Sequence, residues 1–224
     1  MAKRMAEPGD MFDQPVTAGR LVCRGAWLYD PAMTWCAFGQ HRRINRAVAA
    51  CLAAKPGERV LDVGCATGQL TQEVARTLQG SGEAVGVDAS APMIRIARRN
   101  RGGSCRFDLA AAEQLPFPDA CFDATCSSLM YHHLNADLKR RSLAEICRVL
   151  KPGGRIVIAD MGPPCNILGA LLSYPSWLLL RQPEIRENML GLLPRLISEA
   201  GFAGLAEEAR LLGCIYVYSA RKPV

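Results

Sequence analysis

The sequence predicts an α/β protein with a mainly parallel sheet that is covered by helices on both faces. Three observations support this fold class. Short apolar runs alternate with helical patterns along most of the chain, the run at 60–63 leads into a glycine-containing loop, and the run at 84–88 ends in the acid Asp88. Strands of four to six apolar residues separated by helices are typical of a parallel sheet that is buried on both faces.

The first half of the chain shows each element by its periodicity. Ile44, Val48 and Leu52 share one helical stripe, which stops at the breaker Lys55-Pro56-Gly57. A proline at the first turn of a helix loses no hydrogen bond, so Pro92 is read as a helix start. The predicted helices here cover about 42–53, 68–78 and 92 onward, and the predicted strands cover 60–63, 84–88 and 104–107.

The second half continues the alternation and closes with two strands. Leu143, Ile146 and Leu150 share a helical face, and Gly201 marks the end of the last helix. The predicted helices cover 138–150 and about 192–200, and the predicted strands cover 122–127, 155–159, 205–211 and 214–219.

Length and composition favour a single globular α/β domain. The chain has 224 residues, which suits a single α/β domain at 21–224 after a loose N-terminal arm at 1–20. The net charge of +6 comes from scattered basic residues without an aromatic-basic stripe, so no nucleic-acid partner is expected. The ten cysteines form no Cys-x-x-Cys pair and are interpreted as reduced residues of a cytoplasmic protein without a metal, although a metalloid site built from distant cysteines stays open.

Two apolar segments stand apart from the sheet pattern. The N-terminal segment carries the aromatic cluster Trp27, Tyr29, Trp35 and Phe38. Twenty uncharged residues separate Asp160 from Arg181, but prolines and glycines interrupt them, so they predict a cap at about 161–190 and not a membrane span. Tyr29 and Trp177 are the candidate substrate contacts, with completion of the core as the simpler interpretation.

The loop after the first strand carries the chemistry. It reads Asp62-x-Gly64-x-Ala66-x-Gly68, and Asp88 follows Gly68 by twenty residues at the end of the second strand. Ligands bind at the carboxyl ends of parallel strands, where a carboxylate can accept two hydrogen bonds from a ribose diol. Asp62 is expected to orient loop amides or to meet a ligand ammonium, or else only to cap the turn. Ala66 is expected to have a negative φ, because only glycine takes positive φ cheaply.

This loop strongly resembles that of the class I S-adenosylmethionine-dependent methyltransferases, and the resemblance extends over about 25–222. It implies a Rossmann-like sheet of seven strands with the last one antiparallel, and S-adenosyl-L-methionine as the cofactor. Asp88 would hold the ribose and Met93 would pack by the adenine. Ala111 stands where the family has an aspartate for the adenine amino group, so backbone near Ala112 would replace it. The implied cofactor contacts are Asp62, Gly64, Cys65, Gly68, Thr71, Asp88, Ala89, Met93, Ala111, Ala112 and Ser128.

Within this superfamily, the chain is most similar to the ubiquinone/menaquinone biosynthesis C-methyltransferases and related small-molecule enzymes. The similarity rests on Tyr29-Asp30 and on Gly39-Gln40-His41-Arg42. Where that group has Arg-Asn after the fourth strand, this chain has His132-His133. His133, with His132 second, is the candidate base that would take a proton from the acceptor, and the alternative is that both histidines only shape the loop.

These features predict in-line transfer of a methyl group to a small, apolar or aromatic acceptor, such as a quinol, phenol or lipid. The protein is expected to be a monomer or homodimer, with peripheral membrane contact left open. The alternatives are a nicotinamide-dependent dehydrogenase, which also places an acid about twenty residues after its loop, and a cofactor-binding module without turnover. Methylation of a thiol or metalloid rests only on the cysteine count.

Overall fold

A computed structural model of the protein describes Thr17, Gly19 and residues 40–180 and 183–224, with the side chains at 175–177, 179 and 180 outside that description. The helices of the described residues are α1 (Gln40–Leu52), α2 (Gln69–Thr77), α3 (Ala91–Arg101), α4 (Ala136–Val149), α5 (Ile167–Leu180), α6 (Pro183–Met189) and α7 (Leu192–Glu199). The strands are β1 (Arg59–Val63), β2 (Glu83–Asp88), β3 (Arg106–Leu109), β4 (Phe122–Ser128), β5 (Leu150–Met161), β6 (Ala203–Leu211) and β7 (Ile215–Arg221). A 3-10 turn at Tyr131–His133 precedes α4.

The seven strands form one sheet in the order β3-β2-β1-β4-β5-β7-β6. β1 pairs in parallel with β2 and β4, whereas β7 lies antiparallel between β5 and β6. The predicted fold is therefore confirmed, including the antiparallel last strand. The strand order reverses between β1 and β4, so the carboxyl ends of these strands flank the crevice in which such sheets bind ligands.

Both faces of the sheet are buried, as the continuous apolar runs predict. Val60, Ala124 and Val157 pack on one face against α1 and α2. Leu61 and Ile156 point to the opposite face and pack against α4 and α7. Successive residues of a strand alternate between faces, so a single apolar run supplies both cores.

Several element boundaries differ from the sequence prediction by one or two residues, and the start of β5 differs by five. β3 begins at Arg106, two residues later than predicted. β5 begins at Leu150, because Leu150 pairs with Phe122 before the register shifts and Arg155 pairs with Ala124. Pro92 lies in the first turn of α3, as predicted.

The predicted cap contains α5 and α6. The outer side of α5 carries six exposed apolar residues, here called the α5 apolar face: Ile167, Leu168, Leu171, Leu172, Tyr174 and Leu178. The inner side packs closely, since a Cβ added to Gly169 would lie 2.2 Å from the Gly213 carbonyl oxygen. In the part of the chain that the structure describes, no helix is both long enough and apolar enough to cross a membrane.

Candidate functional site

A cavity lies at the carboxyl ends of β1, β2 and β4 and encloses about 940 Å³, its open mouth included. This space suits a nucleoside-sized ligand. Its walls include Thr17, Gly19, His41, Asn45, Asp62, Gly64, Cys65, Ala66, Thr67, Gln69, Leu70, Asp88, Ala89, Ser90, Met93, Ala110, Ala112, Glu113, Ser128, Leu129, Met130, His133 and Leu134.

The loop between β1 and α2 turns through three left-handed residues. Gly64, Ala66 and Gly68 have φ of 77°, 47° and 84°. The predicted negative φ at Ala66 is therefore wrong. The reason is a long-range contact, because the Ala66 amide donates to Asp88 Oδ2 at 2.9 Å and this bond requires the amide to face β2. A left-handed alanine costs about 1 kcal/mol, which a hydrogen bond to a carboxylate can offset.

Asp88 holds the loop in place. Its Oδ2 accepts from the Ala66 amide and its Oδ1 accepts from the Ser90 amide at 2.8 Å. Burial raises the pKa of Asp88, and these two amides lower it in part. Each carboxylate oxygen has two lone pairs, so both oxygens can still accept a hydrogen bond from a ligand in the cavity.

Asp62 is a buried acid in the cavity wall, with 2% of its surface exposed. Its Oδ2 accepts from the Thr71 hydroxyl at 2.6 Å. Burial raises the pKa of Asp62 to about 7, with Thr71 opposing the rise and the charge of Asp88 adding to it. A carboxyl group in this state gains most when a ligand brings a positive charge to it.

The structure brings most of the predicted cofactor contacts together. Those that line the cavity are Asp62, Gly64, Cys65, Asp88, Ala89, Met93, Ala112 and Ser128. Gly68, Thr71 and Ala111 are not among its walls: Gly68 precedes α2, Thr71 holds Asp62, and Ala111 is buried in a bridge with Gln114. Tyr29 and the Trp177 side chain lie outside the described residues.

Helix α1 and strand β4 bring polar groups to the cavity, of which the sequence predicted Ser128 and missed Asn45. Asn45 is 2% exposed, its Nδ2 lies 3.4 Å from His41 Nδ1, and no hydrogen-bond partner of its Oδ1 is found among the described residues. Ser128 Oγ is likewise buried without a partner within the described ranges. Such atoms mark places where a ligand can supply the missing hydrogen bond. For Asn45, the available signal was a polar residue on the apolar stripe of its helix.

The two histidines have different surroundings. His133 lines the cavity, whereas His132 does not, and its Nδ1 lies 2.9 Å from Oδ1 of the buried Asp160. The two imidazole rings are in contact, with centroids 4.0 Å apart and planes inclined by 48°. Burial alone would raise the pKa of Asp160, but the charge and hydrogen bond of His132 hold it below its usual value. Sequence analysis did not identify Asp160, which lies 28 residues from His132.

The sheet order, and the position of the loop with its two acids, agree with the resemblance to the class I methyltransferases. A family model described as a methyltransferase domain matches residues 60–154. Among curated proteins, the chain is 37% identical over 141 residues to the ubiquinone/menaquinone biosynthesis C-methyltransferase UbiE of Erwinia tasmaniensis, covering 61% of this chain and 55% of that protein. It is 36% identical over 135 residues to UbiE of Stutzerimonas stutzeri, covering 58% of this chain and 52% of that protein. The chain is therefore similar to methyltransferases over residues 60–154, and it spans about half the length of the curated relatives that it matches.

Solved structures support the same fold at low sequence identity. YcgJ from Bacillus subtilis has a TM-score of 0.64 and 21% identity, covering 82% of this chain and 100% of that one. A SAM-dependent methyltransferase from Aquifex aeolicus has a TM-score of 0.62 and 20% identity, covering 87% and 95%. The [4+2]-cyclase SpnF has a TM-score of 0.64 and 23% identity, covering 81% and 80%. The fold alone therefore does not define one reaction.

Proposed function

We propose that the protein binds S-adenosyl-L-methionine in this cavity and transfers its methyl group to a small, apolar or aromatic acceptor. The observation that supports this most is the pair of acids, Asp62 and Asp88, at one loop of one cavity. S-adenosyl-L-methionine has a ribose diol that can donate hydrogen bonds to Asp88. Its amino acid group carries a positive charge that can meet Asp62.

The chemistry of the cavity wall fits this cofactor. Asp88 would accept from the ribose hydroxyls, and Asp62 would meet the ammonium group. Met93 offers an apolar surface for the base, and backbone near Ala112 would bind its edge in place of an aspartate side chain. Ser128 Oγ, which has no partner among the described residues, can take a further hydrogen bond. When bound, the cofactor supplies an electrophilic methyl group, so the protein mainly aligns the acceptor and excludes water.

His133 is the proposed base, because it lines the cavity and its imidazole can accept a proton near neutral pH. His132 has its Nδ1 engaged with Asp160, so we assign it a supporting role. His133 therefore remains the first candidate base and His132 the second, as expected from the sequence.

The acceptor side is proposed to be apolar, with the α5 apolar face as a peripheral contact to a lipid surface. Ile167, Leu171 and Leu178 are 80%, 65% and 68% exposed, which is unusual for large apolar side chains on one helix face. Co-sedimentation with anionic liposomes at low salt is expected to recover the protein with the lipid. A variant with Leu171→Ser and Leu178→Ser should stay in the supernatant, and a wild-type protein that stays there would remove this part of the proposal.

An activity screen with radiolabelled S-adenosylmethionine tests the function most directly. The acceptors would be quinols, phenols, amines, thiols and lipids, and we expect label to enter at least one apolar or aromatic acceptor. Binding of S-adenosylhomocysteine without any transfer would favour a binding module or a non-methylating enzyme on this fold, as the cyclase neighbour illustrates. Binding of NADH in place of S-adenosylhomocysteine would favour the dehydrogenase.

A further inference from the structure

Asp160 lies at the carboxyl end of β5 and is completely buried, with 0% of its surface exposed. Its Oδ1 accepts from His132 Nδ1 at 2.9 Å, from the Met161 amide at 2.7 Å and from Asn188 Nδ2 at 3.2 Å. Its Oδ2 accepts from the Tyr131 amide at 2.7 Å. A buried carboxylate is costly unless donors surround it, and here four donors do so.

This contact determines which nitrogen of His132 carries a proton. Because a carboxylate only accepts hydrogen bonds, His132 Nδ1 must be the donor. The His132 ring in turn touches the His133 ring, and His133 borders the cavity. A buried negative charge therefore stands behind two imidazoles, of which the second can reach a ligand.

Other ionisable groups at this corner have partners of their own. On α4, the fully buried Lys139 places its Nζ 2.9 Å from Glu187 Oε2 and 3.3 Å from the Glu184 carbonyl oxygen on α6. The Tyr131 hydroxyl lies 3.3 Å from Ser142 Oγ. Among the described residues, the charge that lies against the imidazole pair is therefore chiefly that of Asp160.

We propose that Asp160 is a positioning residue that fixes the His132 tautomer and balances the positive charge that forms on the His132–His133 pair when His133 takes a proton from the acceptor. The proposal rests on the proposed function. With an acceptor that carries a hydroxyl group, such as a phenol or quinol, the oxygen would form a bond to the methyl carbon while the carbon–sulfur bond breaks and leaves its electron pair on sulfur. The hydroxyl proton would pass to His133, and the negative charge of Asp160 would stabilise the resulting cation.

Nitrogen-15 NMR of the imidazoles tests the positioning step without any turnover. The chain has three histidines, so His41 serves as an internal reference. In the wild-type protein we expect His132 to carry its proton on Nδ1. In Asp160→Asn, the amide can donate to Nδ1, and we expect the proton to move to Nε2, as occurs when a carboxylate that orients a catalytic imidazole is replaced by an amide. A wild-type His132 with its proton only on Nε2 overturns the proposal, even if the variant does not fold.

Kinetics then test the role in turnover. With an acceptor that is turned over in the screen, Asp160→Asn should lower kcat at least tenfold and leave the affinity for S-adenosylhomocysteine within twofold. The matched control is Asp123→Asn. Asp123 lies near the start of β4, away from the carboxyl ends of the strands, and its carboxylate accepts from the Arg59 amide and from Lys151. An unchanged kcat in Asp160→Asn overturns the proposal. Absence of S-adenosylhomocysteine binding overturns the proposed function, while the NMR result still decides the positioning.

Discussion

Asp62 and Asp160 occupy equivalent places in the fold, and their pKa values are shifted in opposite directions. Both are buried acids near the carboxyl ends of parallel strands, β1 and β5. Asp62 accepts from the Thr71 hydroxyl and has the charge of Asp88 nearby, and burial raises its pKa to about 7. Asp160 is also desolvated, but its four donors and the charge of His132 hold its pKa below the usual value.

The difference shows that burial alone does not determine the charge of an acid; the donors around it do. The β5 side of the site has its charges balanced within the protein. On the β1 side, no ion pair to Asp62 or Asp88 is found among the described residues, and a ligand can bring a cation there. The first side therefore suits proton transfer, and the second suits recognition of a positively charged cofactor.

Stability measurements on two isosteric variants should give opposite signs. At pH 8, Asp160→Asn should lower the unfolding free energy by about 3 kcal/mol, because it removes a stabilised charge. Asp62→Asn should raise it by about 2 kcal/mol, because it removes an ionised acid that lacks a cation. Urea unfolding of both variants, measured beside the wild type, gives these values.

The pH dependence follows from the two pKa directions. A lowered pKa gives stability that is present above the ordinary carboxyl pKa and is lost as pH falls through the folded value, so the deficit of Asp160→Asn should shrink in acid. A raised pKa gives stability that is present below the ordinary value and is lost as pH rises through about 7, so the gain of Asp62→Asn should shrink from pH 8 to pH 5. If both variants changed the unfolding free energy in the same direction at pH 8, the contrast between Asp62 and Asp160 would be contradicted.

Removing the other acid of the β1 side should act on the cofactor. Asp88→Ala is expected to weaken S-adenosylhomocysteine binding about 100-fold, since it removes charge-assisted hydrogen bonds worth about 1.5–3 kcal/mol each. Calorimetry gives the affinity. Asp108→Ala on neighbouring β3 is the control, because that acid pairs with Arg106 at 2.9 Å and does not line the cavity. Equal losses in both variants would indicate a general effect on the sheet edge.

Removing the imidazoles should act on turnover alone. Replacing His132 and His133 together by alanine is expected to lower turnover at least tenfold, because general base catalysis contributes about 100-fold or more when it operates. Steady-state rates measure turnover, and calorimetry on the same sample measures the affinity for S-adenosylhomocysteine, which should not change. Unchanged turnover would exclude these histidines from the mechanism.

The smallest expected effect concerns the strained loop. Ala66→Gly should stabilise the protein by about 0.5 kcal/mol, because relief of the left-handed strain slightly exceeds the extra entropy of the unfolded chain. Ala53, with φ of 47° after α1 and outside the cavity, allows Ala53→Gly as a matched control with a similar gain. A loss of stability only at position 66 would mean that the Ala66 methyl group contributes packing that outweighs its strain.

Features that depend on local spacing could be predicted from the sequence, whereas those set by distant partners could not. The strands, the glycine loop and Asp88 follow from apolar runs and from a spacing of twenty residues. The left-handed Ala66 depends on a contact with Asp88, 22 residues away. Asp160 meets His132 and Asn188 across 28 residues in each direction, and nothing near it in the sequence indicates a histidine partner.

The central claim is that the cavity binds a nucleoside ligand that carries a positively charged ammonium group. Calorimetry of S-adenosylhomocysteine binding near pH 6.5 tests this claim most directly. Titrations in two buffers of different ionisation enthalpy measure the protons exchanged. We predict binding with net proton release, since a ligand ammonium would lower the pKa of Asp62 from about 7, and we predict that Asp62→Asn abolishes this release. Binding of NADH with no binding of S-adenosylhomocysteine would contradict the account.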